Sequence, residues 1–184
     1  MTEQKNKKES WVTFFIPIII ALLLSLFIKS TLIANVKVPS DSMNNTIMED
    51  DRLIVNRLAY TNKPIERYDI VVFHPPDEMK KGNKNIYFIK RVIRQPNETI
   101  EIINGTVYKI EKDGTYEKLK DDFVAETPVG NFGPYEVPDN CYLMLGDNRN
   151  NSKDSRCWDN KYVDKSLIIG KAVFKYYPNV EKLE

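Results

Sequence analysis

"TIEIINGTVYKIEK", residues 99–112, decides the fold class of this chain. Runs rich in Ile, Val and Tyr stand on both sides of Asn104-Gly105, which is typical of β-strands. Asn-Gly is typical of the two-residue turn of a β-hairpin, because both residues tolerate the positive φ that this turn requires. The stretch therefore predicts two antiparallel strands joined by a tight turn.

Similar runs follow one another along the chain after residue 35. Each is rich in Val, Ile, Tyr and Phe and is bounded by Pro, Gly, Asn or Asp, which is typical of strands. We therefore expect a mainly β fold, with an antiparallel β domain over residues 35–184 built as a distorted barrel or as two sheets. Residues 104–137 are richer in charge, Gly and Pro, and are predicted to form a small β insertion. The other strand-like runs are RLIVNRL (52–58), YDIVVFH (68–74), IYFIKRVI (86–93), CYLMLG (141–146) and IIGKAVFKYY (168–177).

The N-terminal region contains a long apolar segment. "WVTFFIPIIIALLLSLFI", residues 11–28, carries no charge, and "KSTLIA" extends it to residue 34. About 20 helical residues cross a bilayer core, so we predict a single transmembrane signal-anchor over residues 11–34. A cleaved signal peptide would have a shorter apolar run and a small residue where Leu32 stands, three positions from a cut after Ala34. A buried core helix would show a polar stripe, which this segment lacks.

The charges before the apolar segment predict its orientation. Lys5, Lys7 and Lys8 favour a cytoplasmic tail over residues 1–10, since basic residues collect on the cytoplasmic side of a membrane. The domain at 35–184 is then extracytoplasmic. The predicted product is a single-pass protein tethered to the lipid bilayer.

Composition excludes several classes of function. The 27 basic and 26 acidic residues leave a net charge of +1, which argues against a nucleic-acid partner. One His and two Cys are too few for a typical zinc site, although carboxylate-bound metals stay open. Cys141 and Cys157 form one disulfide or remain two thiols, and their spacing does not decide between these states.

Two serines follow the apolar segment in "VPSDSM", residues 38–43. A serine hydroxyl needs a base before it can act as a nucleophile at neutral pH, and the usual base is histidine. His74 is the one histidine, and the two prolines after it predict a surface turn at the end of a strand. Lysine is the alternative base.

Lys90, in "NIYFIKRVIR", has the surroundings that a basic lysine requires. In a strand, Phe88, Lys90 and Val92 share one face, so Lys90 lies in an apolar row. A free lysine has a pKa of about 10.4, and burial lowers this pKa by up to several units. On the strand pattern alone, a lysine in an ion pair or at a sheet edge is the commoner arrangement.

"GDNRNNSKDSRCW", residues 146–158, combines acids, arginines and serines in one predicted loop. Such a cluster is commonly a solvated turn. A calcium loop is a second interpretation, although Lys153 stands where such loops need glycine. A set of side chains that orient a catalytic lysine is the third.

Four segments together resemble bacterial type I signal peptidases, the membrane-anchored Ser-Lys endopeptidases that remove signal peptides from exported proteins. They are VPSDSM, RYDIVVF, YFIKRVI and GDNRNNSKDSR, in the family's order. The last reproduces the family pattern G-D-N-R-x-x-S-x-D-S-R without a mismatch. The resemblance implies a serine endopeptidase that needs no cofactor and no metal. Its partners would be the signal peptides of exported preproteins, cut at the outer face of a bacterial cell membrane.

The resemblance also implies a role for each matching residue. Ser42 would be the nucleophile and Lys90 the general base, while the Ser42 backbone N–H and the Ser40 hydroxyl would stabilise the oxyanion. Ser152 would orient the lysine ammonium. Two supporting ion pairs and one residue of the substrate pocket are also implied: Asp154 with Arg156, Asp147 with Arg91, and Met43.

The chain departs from the family pattern at three places. Asn45 stands where proline is common in S-M-x-P-T, "RQPNE" (94–98) stands where G-L-P-G-D is usual, and Asp159 replaces a common glycine after Trp158. None of these changes removes a catalytic group, but they allow an unusual specificity. The alternative function is a signal peptidase-like protein for pilins or other dedicated substrates, including a non-catalytic assembly helper. Preferred substrates, sister enzymes and oligomeric state stay open.

Overall fold

The computed structural model describes residues 2–76 and 86–183, with side chains from residue 11 onward. The chain divides into two compact units, Met1–Ala34 and Asn35–Glu184. The first is helical and the second is built from β-strands.

Helix α1 spans Thr2–Thr31. Its segment Trp11–Thr31 is 21 residues long, has a mean hydropathy of 2.7 and has none of its most apolar window buried within the protein. The core helix of a soluble domain would be mostly buried, so this helix has the length and character of a membrane anchor. It ends at Thr31, and strand β1 begins at Ile33, within the last residues of the predicted anchor.

The β unit contains two sheets in its described part. The larger has the strand order β1-β2-β11-β3-β4-β9-β10, with β12 paired to β11, and the smaller has the order β7-β6-β5-β8. Every pairing with a resolved register is antiparallel, which confirms the predicted mainly β fold. The strands are β1 (Ile33–Lys37), β2 (Arg52–Asn56), β3 (Ile70–Phe73), β4 (Phe88–Arg94), β5 (Thr99–Ile103), β6 (Thr106–Ile110), β7 (Tyr116–Lys118), β8 (Phe132–Glu136), β9 (Cys141–Leu145), β10 (Val163–Asp164), β11 (Ile168–Tyr177) and β12 (Glu181–Lys182).

The predicted hairpin is present as β5 and β6. Ile103 pairs with Thr106 across the turn, and Asn104 and Gly105 have φ values of 48° and 77°. Gly105 is also fixed by packing, since a Cβ there would lie 2.0 Å from the carbonyl oxygen of Pro128. The smaller sheet runs from β5 to β8 and is the β insertion in the fold.

Five strands were not predicted, and each lacks a periodic apolar pattern. Strand β8 contains Gly133 and Pro134, which disfavour strands, and all three residues of β7 are exposed. Strands β10 and β12 have two residues each, and β1 overlaps the apolar run that predicted the anchor. A strand that buries few side chains lacks the apolar periodicity by which strands are predicted.

Strand β4 lies between two apolar clusters, and this position buries it on both faces. Val92 belongs to one cluster, with Phe73, Met144 and Trp158. Ile93 belongs to the other, which joins the main sheet to the insertion through residues of β5 and β6. A side chain at the centre of β4 is therefore held by packing and shielded from water.

The two cysteines are free thiols. Cys141 is half-buried in β9, and burial raises the pKa of its thiol. Cys157 is exposed. The structure thus answers the question that their spacing left open.

Candidate active site

Ser42 lies in a tight turn, residues 40–47, that follows strand β1. The Met43 carbonyl accepts hydrogen bonds from the backbone N–H groups of Thr46 at 3.1 Å and Ile47 at 2.9 Å. The side chains of Met43 and Ile47 are buried in the core, with 1% and 0% exposure. These buried side chains hold the turn, and Ser42 itself is only 8% exposed.

Lys90 lies in the centre of β4, where it pairs with Val71 of β3. Its ammonium nitrogen is 2.6 Å from Ser42 Oγ and 3.0 Å from the Ile89 carbonyl oxygen. The side chain is buried, with 4% of the residue exposed. Ser42 and Lys90 are thus in direct hydrogen-bond contact, as a nucleophile and its base require.

Burial lowers the pKa of Lys90 from 10.5 to about 8, against the opposing effect of the Asp154, Asp147 and Asp41 carboxylates. The lowering comes from desolvation, which disfavours the charged ammonium. With a pKa of about 8, roughly one amine in ten is neutral at pH 7, compared with roughly one in 3,000 for a free lysine. A lysine in this setting can accept a proton near neutral pH.

Ser40 is the second hydroxyl of the site. Its Oγ lies 3.3 Å from Ser42 Oγ, at the exposed side of the turn. His74 lies elsewhere, and its Nδ1 is 3.0 Å from the Ile86 carbonyl oxygen. The serine-lysine pair therefore meets in space, while His74 is not among the described residues that line the cleft.

A cleft of about 360 Å³ opens over the serine-lysine pair. One side comes from the chain between β1 and the turn at 40–47, which we call the nucleophile turn after the predicted role of Ser42. The other side comes from the start of β4. Met43 is among its lining residues, and its role in a substrate pocket stays a prediction. The lining residues are Val38, Pro39, Ser40, Asp41, Ser42, Met43, Tyr87, Phe88, Ile89, Lys90, Asn151 and Lys153.

Arg91 and Asp147 form a buried ion pair behind the site. Arg91 Nε and Nη2 donate to the two Asp147 carboxylate oxygens at 2.9 and 2.7 Å. Thr46 donates to the same carboxylate at 2.6 Å. Thr46 was missed in the sequence, although it is the threonine of the family's S-M-x-P-T pattern. Because Thr46 belongs to the nucleophile turn and Arg91 follows Lys90, this pair connects the two halves of the site.

Asp154 and Arg156 form a second buried ion pair. Arg156 Nε and Nη2 donate to the Asp154 carboxylate oxygens, each at 2.8 Å. Asp154 also accepts the backbone N–H of Gly146 at 3.0 Å, and Arg156 donates to the Arg149 carbonyl at 2.6 Å. The pair therefore fixes the shape of the loop at 146–156.

Ser152 and Gly146 pack together beside Ser42. A Cβ on Gly146 would lie 2.3 Å from Ser152 Oγ and 2.3 Å from the Ser42 carbonyl oxygen, so only glycine fits there. Ser152 Oγ is buried and has no hydrogen-bond partner among the described residues. Its predicted contact with the Lys90 ammonium therefore stays a prediction.

Two asparagines of the same loop hold the nucleophile turn. The Asn148 side chain donates to the Asp41 carbonyl at 3.1 Å, and its backbone N–H donates to the Ser42 carbonyl at 3.2 Å. Asn151 donates to the Asp41 carboxylate at 2.6 Å. The loop is thus a support for the site and not a solvated turn. Within residues 2–76 and 86–183, no three His, Cys, Asp or Glu side chains are grouped to hold a metal ion.

The chain is similar to known proteins over most of its length. The family model described as "Signal peptidase, peptidase S26" matches residues 10–177. The chain belongs to the signal peptidase family. It is 35% identical to a probable signal peptidase I-2 of Synechocystis over 181 residues, covering 96% of this chain and 80% of the relative. It is 41% identical to signal peptidase I of Leptolyngbya laminosa over 143 residues, covering 77% and 67% of the two chains. A crystal structure of signal peptidase I from Enterococcus faecalis matches 60% of this chain and 98% of its own, with 26% identity and a TM-score of 0.46.

Family membership confirms the resemblance found in the sequence. The protein is a serine endopeptidase, and thus a hydrolase, of the signal peptidase I type. Its apolar N-terminal helix is that of a membrane-anchored protein.

This signal peptidase keeps a turn at 94–98 without the family's two glycines. Asn97 adopts the positive φ there, 62°, and its side chain donates to Asp139 at 2.7 Å. Arg94, where the family has its first glycine, is fully buried and pairs with Glu98 at 3.2 Å. Glu98 also pairs with Arg67 at 2.6 Å. Asn97 thus adopts the positive φ that glycine usually supplies in this turn, and the ion pairs of Glu98 stabilise the turn.

Proposed function

We propose that this protein removes N-terminal signal peptides from exported preproteins, with Ser42 as nucleophile and Lys90 as general base. The observation that carries the proposal is the 2.6 Å contact between Lys90 Nζ and Ser42 Oγ in a buried site. Membership of the signal peptidase family supplies the class of substrate.

The proposed reaction needs only these two side chains and water. Neutral Lys90 accepts the Ser42 proton while Oγ attacks the carbonyl carbon at the cut, giving a tetrahedral intermediate. The Lys90 ammonium then gives its proton to the leaving amine of the mature protein, and an acyl-enzyme on Ser42 remains. Lys90 next takes a proton from water, whose oxygen attacks the ester carbonyl. Lys90 then returns this proton to Ser42 Oγ as the bond to Oγ breaks and the signal peptide leaves as a carboxylic acid.

The oxyanion would be stabilised by donors of the nucleophile turn. The Ser42 backbone N–H and the Ser40 hydroxyl are assigned this role because both lie next to the attacking oxygen. One donor of this kind lowers the barrier by about 2.7–4 kcal/mol. Ser152 is proposed to receive the Lys90 ammonium when the proton moves.

Substrate would bind as an extended peptide along the edges of the cleft. In the described part of the chain, β9 pairs with β4 only from Arg91 onward, which leaves the cleft side of residues 88–90 without a strand neighbour. Main-chain hydrogen bonds to such an edge give affinity, and shallow pockets select side chains. Met43 would line a pocket for a small side chain before the cut.

We propose that the anchor places the catalytic unit outside the cytoplasm of a bacterium. The lysines before the apolar segment, Lys5, Lys7 and Lys8, favour a cytoplasmic N-terminus. The cut site of a signal peptide lies near the outer membrane surface, so an anchored enzyme would meet it there. The alternative function is not favoured, because the relatives of this chain are signal peptidases I. The intact serine-lysine pair also argues against a non-catalytic helper.

Cleavage of a preprotein by the purified full-length protein in detergent tests this function. We expect wild type and His74→Ala to release the mature protein at comparable rates, because His74 bonds the Ile86 carbonyl and not the nucleophile. Ser42→Ala and Lys90→Ala should lose cleavage by about a thousandfold or more, as removal of a nucleophile or its base does. Turnover retained in Lys90→Ala would reject the serine-lysine assignment.

A further inference from the structure

The backbone at Asn45 has a conformation that the family's usual proline cannot adopt. Its φ is 90°, whereas the proline ring fixes φ near about −65°. Asparagine is among the few side chains that enter this region. The Asn45 side chain also donates to the carbonyl oxygen of Phe123 at 2.8 Å, across 78 residues of sequence. The departure from the family pattern therefore comes with a side-chain hydrogen bond that proline, which has no side-chain donor, cannot make.

Phe123 lies in the loop between β7 and β8, residues 119–131, and its ring covers the arginine of the central ion pair. The Arg91 guanidinium carbon is 4.2 Å from the ring centroid, within the range of a cation–π contact. The Tyr68 ring packs against Phe123 at 5.7 Å between centroids. The Asn45 bond thus holds a ring over Arg91.

The covered ion pair links the two reacting side chains. Thr46, next to Asn45, donates to Asp147, and Asp147 is bonded to Arg91. Arg91 is the chain neighbour of Lys90. A cavity of about 270 Å³ beside the pair is lined in part by Phe123, Thr46 and Arg91, so truncation of the ring would open the pair to water.

The same loop also contacts the second support of the site. The Asn150 side chain donates to the Thr127 carbonyl at 3.1 Å and accepts the Val129 backbone N–H at 3.2 Å. Asn150 belongs to the loop at 146–156, whose asparagines hold the nucleophile turn. The loop 119–131 therefore bridges both segments that fix Ser42.

We propose that Asn45 and Phe123 are positioning residues, a latch by which the β insertion holds the Ser42 turn against the Lys90 strand. The catalytic part of this inference rests on the proposed function. Neither residue lines the cleft, so the latch acts through Thr46, Asp147 and Arg91 and not on substrate.

The latch predicts a loss in kcat without a matching change in KM. Asn45→Gly keeps the backbone freedom and removes the donor, and should lower kcat by about three- to tenfold, the equivalent of one hydrogen bond. Phe123→Ala should lower kcat by at least about tenfold, since both the ring contact and the dry environment are lost. KM should stay within about twofold in both, because the cleft is unchanged.

Two matched variants control for folding. Asn97→Gly removes another positive-φ asparagine with a long-range side-chain bond, to Asp139, away from the cleft. Phe174→Ala removes a half-exposed ring on β11. Both should keep the kcat of wild type. In the double variant Asn45→Gly/Phe123→Ala, the loss should be smaller than the product of the two single losses, since both act through one contact.

Hydrogen exchange gives a readout that does not depend on cleavage. The Thr46 and Ile47 amides are bonded to the Met43 carbonyl and report the order of the turn. They should exchange faster in Phe123→Ala than in wild type and Phe174→Ala, although residue 123 is remote in sequence. If Phe123→Ala does not fold, Phe123→Leu, which keeps apolar volume without an aromatic face, takes its place.

The outcomes separate the latch from the proposed function. Unchanged exchange of the turn in the Phe123 variant, or kcat within twofold of the controls in both single variants, overturns the latch. Absence of preprotein cleavage by wild type would reject the proposed function, while faster exchange in the variant would still support the latch.

Discussion

Lys90 can act as a base because of its place in β4. The alternation of the strand predicted an apolar face, and Val92 on that face is indeed fully buried. Burial gives the lysine a pKa of about 8. The sequence could not show that three carboxylates oppose this effect, because they lie on other segments of the chain.

Gly146→Ala should strongly lower activity, because the added methyl would meet Ser152 Oγ and the Ser42 carbonyl oxygen at 2.3 Å each. No real Cβ approaches backbone so closely, so the nucleophile turn must shift. We expect kcat to fall by more than about a hundredfold, as a misplacement of about 1 Å can cost.

Gly114→Ala is the matched control for this change. Gly114 has a φ of 83°, so alanine is strained there, but a Cβ would meet nothing within 4 Å. Its thermal stability should fall modestly and its kcat should stay that of wild type. Wild-type kcat in Gly146→Ala would contradict the packing of this site.

Several residues of the site were missed in the sequence for one physical reason. Thr46, Asn148 and Asn151 act through contacts that span 101, 107 and 110 residues. Apolar periodicity indicates which side chains are buried, and motifs indicate which residue types carry the chemistry. Neither indicates that a side chain bonds to a residue on a distant segment. The family resemblance indicated Ser42 and Lys90 because each lies in a segment that matches the family pattern, VPSDSM and YFIKRVI.

At the scale of elements, burial decided which strands could be predicted. Strand β11 begins and ends at the residues of the predicted run, Ile168–Tyr177, since its apolar pattern is continuous. Strand β8 was missed because its Gly133 and Pro134 are typical of turns. Its pairing with β5 is fixed by the insertion as a whole, which local sequence does not encode.

The insertion also contacts the active site, which its sequence did not indicate. Its charge and its Gly and Pro content predicted a β excursion, and the loop 119–131 within it reaches the active site. That loop contacts the nucleophile turn through Asn45 and the supporting loop at 146–156 through Asn150. Such contacts depend on the packing of two sheets, so no pattern along one segment reveals them.

At the scale of the whole molecule, the apolar helix has the character of a membrane anchor, and the β unit contains the candidate active site. The uncharged run at 11–28 predicted the helix, whose segment Trp11–Thr31 has a mean hydropathy of 2.7. The proposed orientation depends on three lysines before it. The exposed Cys157 of the β unit offers a direct test.

An impermeant maleimide added to intact cells should label Cys157, because the β unit is proposed to lie outside the cytoplasm. The thiol is free and exposed, whereas Cys141 is half-buried. Cys157→Ser should remove most of the label, and Cys141→Ser should not. Labelling that appears only after the membrane is opened would show that the catalytic unit lies in the cytoplasm.

The pH dependence of kcat/KM for preprotein cleavage tests the central claim, that desolvated Lys90 activates Ser42. A base acts when neutral, so kcat/KM should rise about tenfold per pH unit on the acid side and level off above the Lys90 pKa of about 8. The same profile should appear in His74→Ala. A profile that is flat between pH 6 and 9, or one whose acid limb disappears in His74→Ala, would contradict the account.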